Sequence, residues 1–256
     1  MIRLMFFITT VIIGMTSAAG NDTKESVNSK RLTIMSYNVR GGIGMDNVRN
    51  HQRTIDVIST ESPDIVALQE LDSMTARSGN TYLLDEMAQQ LNMIGYFAPA
   101  IDFDGGKYGI GILCRDRPEA IHRLTLPGRE EARAIIVAEF RDFLFACTHL
   151  SLTEADRDAS AAIINGLTIM TDKPMFLAGD LNSHAEDKTI DILKTQFRII
   201  SDTDSPTFPA HFPTETIDYI MVADNSNSVS TISSKTADAP VASDHRPIIT
   251  TVIIKQ

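Results

Sequence analysis

The residues of this sequence best suited to chemistry are Asp180 and Asn182, which follow a short apolar run. That run, 175–178, lies between Pro174 and Gly179 and is typical of a buried strand. A carboxylate and a carboxamide after such a strand are expected at a sheet edge, where α/β proteins carry functional side chains. Gly-Asp-x-Asn is also an ordinary turn composition, so the tripeptide alone leaves both interpretations open.

Other apolar runs are followed by polar residues of the same kind. The polar residues that end predicted strands or adjoin the last of them are Asn38, Glu70, His149, Asp180, Asn182, Asp218, Asp244 and His245. Oxygen ligands dominate this set, and the sequence has no Cys-x-x-Cys pair that would indicate a thiolate zinc site. Such ligands select Mg²⁺, Mn²⁺ or Ca²⁺. A metal, an Asp and a His around one cleft predict a phosphoester hydrolase.

The elements that must position these residues alternate between strand-like and helix-like patterns from residue 31 onward. Hydrophobic spacing predicts helices at 48–59, 83–91, 154–170 and 187–195, and strands at 32–38, 65–69, 109–113, 134–140, 143–149, 175–180, 217–222, 229–233 and 248–254. The central strands follow one another without helices, which favours a mixed sheet over a purely parallel one. No repeat, linker or low-complexity segment divides the region, so we expect one domain of α/β or α+β type.

The N-terminal residues have a different composition. A positive charge at Arg3, an apolar stretch at 4–15 and small residues at 17–19 match a secretory signal. A membrane anchor is the alternative, but the stretch is shorter than the ~20 residues of a spanning helix. We expect a signal peptide at 1–19, a flexible lead-in at 20–30, and a single domain at 31–256. The protein would then be periplasmic or secreted, without a stable membrane anchor.

The composition and net charge of the chain limit the classes of molecule that it is expected to bind. The chain has 256 residues, 43% of them hydrophobic and 22% charged, which is ordinary for a globular protein with a substantial core. Its formal net charge of −10 suits long nucleic acids poorly, because Lys and Arg must replace their counterions. We expect a monomer. Cys114 and Cys147 lie in predicted strands and could pair, but buried free thiols are the default expectation.

The motifs also carry a family resemblance. In chain order, Tyr37-Asn38, Leu68-Gln69-Glu70, Thr148-His149-Leu150, Gly179-Asp180-Leu181-Asn182, Ile217-Asp218-Tyr219 and Ser243-Asp244-His245 resemble the endonuclease/exonuclease/phosphatase (DNase I-like) superfamily. This superfamily includes apurinic endonucleases, DNase I-like nucleases, neutral sphingomyelinases, inositol-phosphate 5-phosphatases and deadenylases. The resemblance spans residues 32–254. It implies an α/β (α+β) four-layer sandwich, with two mixed β-sheets packed face to face and helices outside.

The resemblance implies a metal side and a water side of the site. Glu70 would be the principal metal ligand, assisted by Asn38, and Asp244 would complete the metal side. Asp180 would orient or deprotonate the attacking water. Asn182 would hold that water or the phosphate. The implied cofactor is Mg²⁺, with Mn²⁺ or Ca²⁺ as alternatives.

The resemblance also implies residues that contact the phosphate. His245 would contact it with a charge supported by Asp218, although His245 as the general base remains the alternative. His149 would donate to a phosphoryl oxygen as charge develops there. Arg77, in a loop resembling that of bacterial members, and Arg133 are candidate substrate-binding residues. A cation there could hold a leaving group or a second phosphate, and a solvated loop arginine is the competing interpretation.

The sequence therefore predicts an exported Mg²⁺-dependent phosphohydrolase that acts on a small or lipid phosphoester. A DNA or RNA nuclease of the same superfamily is the nearest alternative. A binding module that kept the fold and lost the chemistry is an alternative of another class. A Ser-based triad hydrolase is not supported, because the sequence has no Gly-x-Ser-x-Gly.

Overall fold

A computed structural model describes residues 29–169 and 171–255 of the chain. The predicted signal peptide at 1–19 and residues 20–28 of the predicted lead-in lie outside the described residues. Ser29 and Lys30, predicted as the end of the lead-in, belong instead to the first strand and pair with the last one. Among the described residues, no helix combines the length and apolar character needed to cross a bilayer.

The described chain contains twelve strands and four α-helices. The strands are β1 (Ser29–Asn38), β2 (Ile65–Ser73), β3 (Ile94–Phe103), β4 (Gly106–Cys114), β5 (Ala120–Leu126), β6 (Arg133–Glu139), β7 (Leu144–His149), β8 (Met175–Asp180), β9 (Arg198–Ile199), β10 (Asp218–Ala223), β11 (Val229–Thr236) and β12 (Ile248–Lys255). The helices are α1 (His51–Glu61), α2 (Leu83–Leu91), α3 (Glu154–Thr168) and α4 (Lys188–Leu193). Short 3₁₀ turns lie at Arg40–Gly42 and Ala76–Ser78.

The strands form two six-stranded sheets. Their orders are β11-β12-β1-β2-β4-β3 and β5-β6-β7-β8-β10-β9. In each sheet one central pair is parallel, β1 with β2 and β7 with β8, while the other pairings are antiparallel. The prediction of two mixed sheets is therefore confirmed.

The alternation of side chains along the strands builds a four-layer sandwich. In β1, Leu32 and Ile34 point into the core between the sheets, whereas Met35 and Tyr37 pack on the side of α1 and α2. In the second sheet, inner residues such as Phe176 and Ile220 meet that central core. The outer residues Leu177 and Tyr219 pack with Ile164 of α3 and Ile190 of α4.

Some predicted boundaries and strands differ from the structure. The helix predicted at 48–59 begins at His51, because the Asn50 side chain caps it by accepting from the Gln52 backbone N–H. Three strands, β3, β5 and β9, were not predicted. Each lies at a sheet edge, and the largely exposed β5 offers little apolar alternation to detect. Cys114 and Cys147 are buried and free, as expected.

Candidate active site

The predicted site residues meet at one edge of the sandwich. Asn38 ends β1, where the parallel register places it beside Gln69, the neighbour of Glu70. His149 and Asp180 end β7 and β8 and are register partners. Asp218 begins β10 directly opposite Asp180. Parallel central strands thus bring polar side chains from both sheets to the same edge.

Asn38 connects the two halves of this group. Its Nδ2 donates to Glu70 Oε1 at 3.0 Å and to Asp180 Oδ2 at 3.0 Å. Its Oδ1 accepts from the Arg40 backbone N–H at 3.1 Å. Asn38 is fully buried. One carboxamide therefore fixes the spacing between a carboxylate of the first sheet and a carboxylate of the second.

Glu70 owes its direction to a β-bulge. The pairing of β2 with β4 shifts between Leu68 and Leu71, so that Gln69 and Glu70 together oppose one residue of β4. Glu70 itself has φ of +59°, in the left-handed region that a non-glycine residue rarely adopts. The bulge interrupts the alternation of the strand and lets Glu70 meet Asn38 at the edge.

Asp180 is a buried carboxylate surrounded by donors. Its Oδ1 accepts from the Asn182 backbone N–H at 3.0 Å, and its Oδ2 lies 3.5 Å from His149 Nε2 and 3.6 Å from His245 Nε2. Burial alone would raise the pKa of Asp180, but the nearby His149 and His245 outweigh it and lower the pKa. The group is therefore an ionised hydrogen-bond acceptor at neutral pH.

His245 is held by a buried carboxylate on its other side. Asp218 Oδ2 lies 2.9 Å from His245 Nδ1 and also accepts from Thr207 Oγ1 at 2.5 Å. Burial would lower the pKa of His245, but the charges of Asp218 and Asp180 raise it to about 10. Burial raises the pKa of Asp218, the charge of His245 lowers it, and the charge of Asp180 raises it again, so the net shift is upward. The pair presents Nε2 of a cationic ring toward Asp180.

The remaining predicted polar residues complete the same edge. Asp244 Oδ2 lies 3.3 Å from Arg40 Nε. The hydroxyl of Ser243 donates to the Asn38 carbonyl at 2.7 Å, which fixes this segment against β1. Asn182 donates from Nδ2 to the Leu150 carbonyl at 2.9 Å and has φ of +48°.

Two groups of residues could hold a metal ion. Burial raises the pKa of Asp244, and repulsion from the Glu70 carboxylate adds to the rise, which the charges of His245 and Arg40 offset only in part. A divalent cation bound there would relieve this repulsion, so these oxygen donors fit a hard metal ion. Asp180, Asp218 and His245 also offer ligand atoms that lie within 4.8 Å of one another.

The two candidate substrate-binding arginines are already paired. Arg77 donates from Nε and Nη2 to the buried carboxylate of Asp72 at 2.9–3.1 Å. Arg133 is buried, with Nη1 lying 3.2 Å from Glu131 Oε1. The structure places Arg77 in the wall of a cavity beside Glu70, and Arg133 in the wall of a smaller cavity that shares Tyr108 and Glu131 with it.

Sequence reasoning missed several residues of the site. Arg40 could have been noticed because it follows the Tyr37-Asn38 motif at a strand end. Thr207, Tyr108 and Glu131 carry no local signal. Thr207 lies in a long loop, Glu131 lies in the loop between β5 and β6, and Tyr108 is brought to the cavity by the pairing of β4 in its sheet. The cavity beside Glu70 has a volume of about 320 Å³, and the lining residues that bear on the site are Arg40, Glu70, Arg77, Phe103, Tyr108 and Glu131.

A larger and more apolar cavity of about 580 Å³ lies elsewhere. Its lining includes Leu144 and Met175, which begin β7 and β8. The site residues His149 and Asp180 end the same strands. This cavity therefore lies at the opposite end of the strands, and its size does not mark it as the reaction centre.

Comparisons with known proteins agree with this fold. The Endonuclease/Exonuclease/phosphatase family model matches residues 35–245. A search of curated proteins finds no match to the sequence. Among solved structures, an endonuclease/exonuclease/phosphatase from Bacteroides vulgatus is 18% identical with a TM-score of 0.73, covering 88% of this chain and 100% of its own.

Two further structures carry functional names and share the fold. A mannosyl-6-phosphatase from Bacteroides thetaiotaomicron is 19% identical with a TM-score of 0.67, covering 86% of this chain and 99% of its own. The human Nocturnin catalytic domain, solved with a bound sulfate anion, is 17% identical with a TM-score of 0.67, covering 88% of this chain and 94% of its own. At this identity the likeness establishes the fold of the chain.

Proposed function

We propose, because this chain belongs to the endonuclease/exonuclease/phosphatase family, that it is a Mg²⁺-dependent hydrolase of a small phosphoester. Members of this family are hydrolases that act on phosphoesters. The observation that carries the proposal is the Asn38 carboxamide, which joins Glu70 to Asp180 at 3.0 Å each. This contact brings the carboxylate that would ligate the metal close to the carboxylate that would orient the water.

The metal would be held by Glu70 and Asp244, with Asn38 assisting. Bound there, the cation would neutralise charge on the phosphoryl oxygens and keep the phosphate in place. We assign the Asp180, Asp218 and His245 group to proton and phosphate handling instead, because His245 Nδ1 is already engaged by Asp218 at 2.9 Å. A cation between these groups would break that hydrogen bond.

The residues of the chain account for the attack of water. Asp180, ionised and buried, would accept a hydrogen bond from the water and orient it toward phosphorus. The imidazolium of His245 would donate from Nε2 to a phosphoryl oxygen, and His149 would donate to another. The raised pKa of His245 supports this role over that of general base. The water oxygen bonds to phosphorus as the water loses one proton, the ester P–O bond breaks, and the leaving alcohol takes up one proton, so the net reaction consumes one water.

The nature of the cleft supports a small substrate over a long nucleic acid. The cavity beside Glu70 is about 320 Å³, near the lower end of the ~300–1,000 Å³ range of small-molecule sites. The net charge of −10 disfavours a long polyanion. A mannosyl-6-phosphatase among the structural relatives is consistent with a small substrate.

Metal removal tests the proposal. With p-nitrophenyl phosphate and bis-p-nitrophenyl phosphate as substrates, we expect EDTA to abolish turnover and Mg²⁺ to restore it. Glu70→Gln should need at least about tenfold more Mg²⁺ for half-maximal rate, since a charged ligand is lost. Glu154→Gln, in the first turn of α3, is the matched control and should behave as wild type. Turnover that persists in EDTA would refute the metal-dependent mechanism.

A further inference from the structure

We propose that the cavity beside Glu70 binds the hydroxyl-bearing part of a phosphorylated sugar or similar small polyol. This inference rests on the proposed function and adds the class of leaving group. The lining residues that carry it are Glu70, Arg77, Phe103, Tyr108 and Glu131.

The cavity adjoins the reaction centre, because it shares residues with both Asn38's contacts and the surroundings of His149. Glu70 belongs to its wall and also contacts Asn38. Tyr108 and Glu131 line this cavity and a smaller one that His149 and Arg133 also line. A group bound between Glu70 and Glu131 would therefore lie next to a phosphate held by His149. The alcohol that leaves would occupy that position.

Arg77 is preorganised as a donor in this wall. Asp72, fully buried, holds Nε and Nη2 at 2.9–3.1 Å. The guanidinium also lies 4.4 Å from the ring centre of Phe103 and 5.5 Å from that of Tyr108. Among the described residues no hydrogen bond engages Nη1. A fixed guanidinium with donors to spare binds hydroxyl oxygens at a low entropy cost.

Two other lining residues, Glu131 and Tyr108, supply acceptors. Glu131 is paired with Arg133 at 3.2 Å and is 29% exposed at its side chain. Tyr108 also lines the cavity, and its phenol hydroxyl can both donate and accept a hydrogen bond. Sugar hydroxyls both donate and accept, and this cavity offers carboxylates, a phenol and a guanidinium within one small volume.

The apolar surface in the cavity is limited. Phe103, 36% exposed, presents a ring against which the C–H face of a sugar can pack. Ile43 is the other apolar residue of the lining. A lipid chain would find little apolar wall here, whereas a hydroxylated ring would satisfy the charged groups that it covers.

The test compares two substrates in wild type and variants. We expect kcat/KM for glucose 6-phosphate or mannose 6-phosphate to exceed that for p-nitrophenyl phosphate. Arg77→Lys should lower kcat/KM for the sugar phosphate about tenfold more than kcat/KM for p-nitrophenyl phosphate. We expect the loss chiefly in KM, because one charge-assisted hydrogen bond is lost. Phe103→Ala should also lower the ratio of kcat/KM for the sugar phosphate to kcat/KM for p-nitrophenyl phosphate. It provides a second test of the cavity if the arginine variant does not fold.

Matched controls lie outside the cavity. Arg115→Lys removes an arginine that donates to the Pro63 carbonyl at 3.1 Å, and Phe212→Ala removes a phenylalanine that is 73% exposed. Both should leave the substrate ratio unchanged. Equal rates on sugar and nitrophenyl phosphates, or a preference for sphingomyelin or DNA, would overturn the inference while leaving the hydrolase proposal intact. No turnover of any phosphoester with Mg²⁺ would contradict the hydrolase proposal itself.

Discussion

At the scale of single residues, Glu70 and Asn38 set the geometry of the site. Glu70 lies in the left-handed region with φ of +59°, a conformation that costs on the order of 1–3 kcal/mol for a non-glycine residue. The hydrogen bond from Asn38 at 3.0 Å is one of the contacts that hold it there. Strain of this kind persists where the surroundings fix the residue, so Asn38 acts as a structural link as well as a candidate ligand.

Asn38→Ala tests this link. The substitution removes the shared donor and leaves Glu70 and Asp180 to repel each other across the gap. We expect the Mg²⁺ concentration for half-maximal rate to rise about 10–100-fold, on the scale seen when groups that orient metal ligands are lost. Magnesium titration of p-nitrophenyl phosphate hydrolysis measures it. An unchanged midpoint would show that the Asn38 bridge does not organise the metal side.

The sequence identified most of these residues, but it could not show how they meet. The strand-end motifs predicted Asn38, Glu70, His149, Asp180 and His245 because each follows or precedes an apolar run. Their contacts depend on pairings distant in the chain, and no local pattern reports that Asn38 lies between Glu70 and Asp180. Thr207 was missed for the same reason, because its contact with Asp218 is made by a long loop. The roles assigned to all of them remain predictions.

At the scale of secondary structure, close strand pairing positions the acidic residues. Gly179 precedes Asp180 in β8, where a Cβ atom would lie 2.1 Å from the Thr148 carbonyl oxygen of β7. Only glycine allows the two strands to approach in this way. The spacing of His149 and Asp180 therefore depends on a residue that performs no chemistry.

Gly179→Ala should separate β7 from β8 at the site. We expect a loss of about 1–3 kcal/mol in the free energy of unfolding, as for other overpacked positions, together with a fall in kcat. Gly166→Ala on α3 is the matched control, because a Cβ there meets nothing within 4 Å. The control should stabilise by up to about 1 kcal/mol through helix propensity. Urea unfolding and p-nitrophenyl phosphate kinetics measure both, and equal effects of the two substitutions would contradict the packing argument.

Helices and strands were predicted correctly where a buried face produced a clear hydrophobic periodicity in the sequence. Strands at the edges of the sheets were missed. The helix at 83–91 and the buried strand ending at Asp180 match the structure. The edge strand β3 was missed because it contains Pro99, which lies at a bulge where the register with β4 shifts. Because Phe103 ends β3 and lines the cavity beside Glu70, missing this strand also meant that Phe103 was not predicted as a cavity residue.

At the scale of the whole molecule, the net negative charge of the protein favours a small phosphoester over a nucleic acid as substrate. The chain carries 23 Lys and Arg residues against 33 Asp and Glu residues. Several arginines at the site face carboxylates, as Arg77 does with Asp72 and Arg40 with Asp244. Few cations are therefore left to replace counterions along a nucleic acid.

Long DNA should consequently bind weakly. We expect no retention of a 30-base-pair duplex at physiological salt with protein at micromolar concentration, where non-specific DNA-binding proteins have Kd of about 10⁻⁴–10⁻⁶ M. Fluorescence anisotropy across a salt series measures this. Micromolar affinity with a steep salt dependence would favour the nuclease alternative and contradict the small-substrate proposal.

The most direct test of the hydrolase mechanism is phosphate release by Asp180→Asn under saturating Mg²⁺. Asparagine keeps the shape of the side chain but cannot orient or deprotonate water as a carboxylate does. We predict a kcat at least about 100-fold below wild type, on the scale of general-base loss. Thermal unfolding should confirm a folded variant, and Asp158→Asn, which removes a surface partner of Lys188, should keep wild-type kcat. A folded Asp180→Asn protein with wild-type kcat would contradict the account.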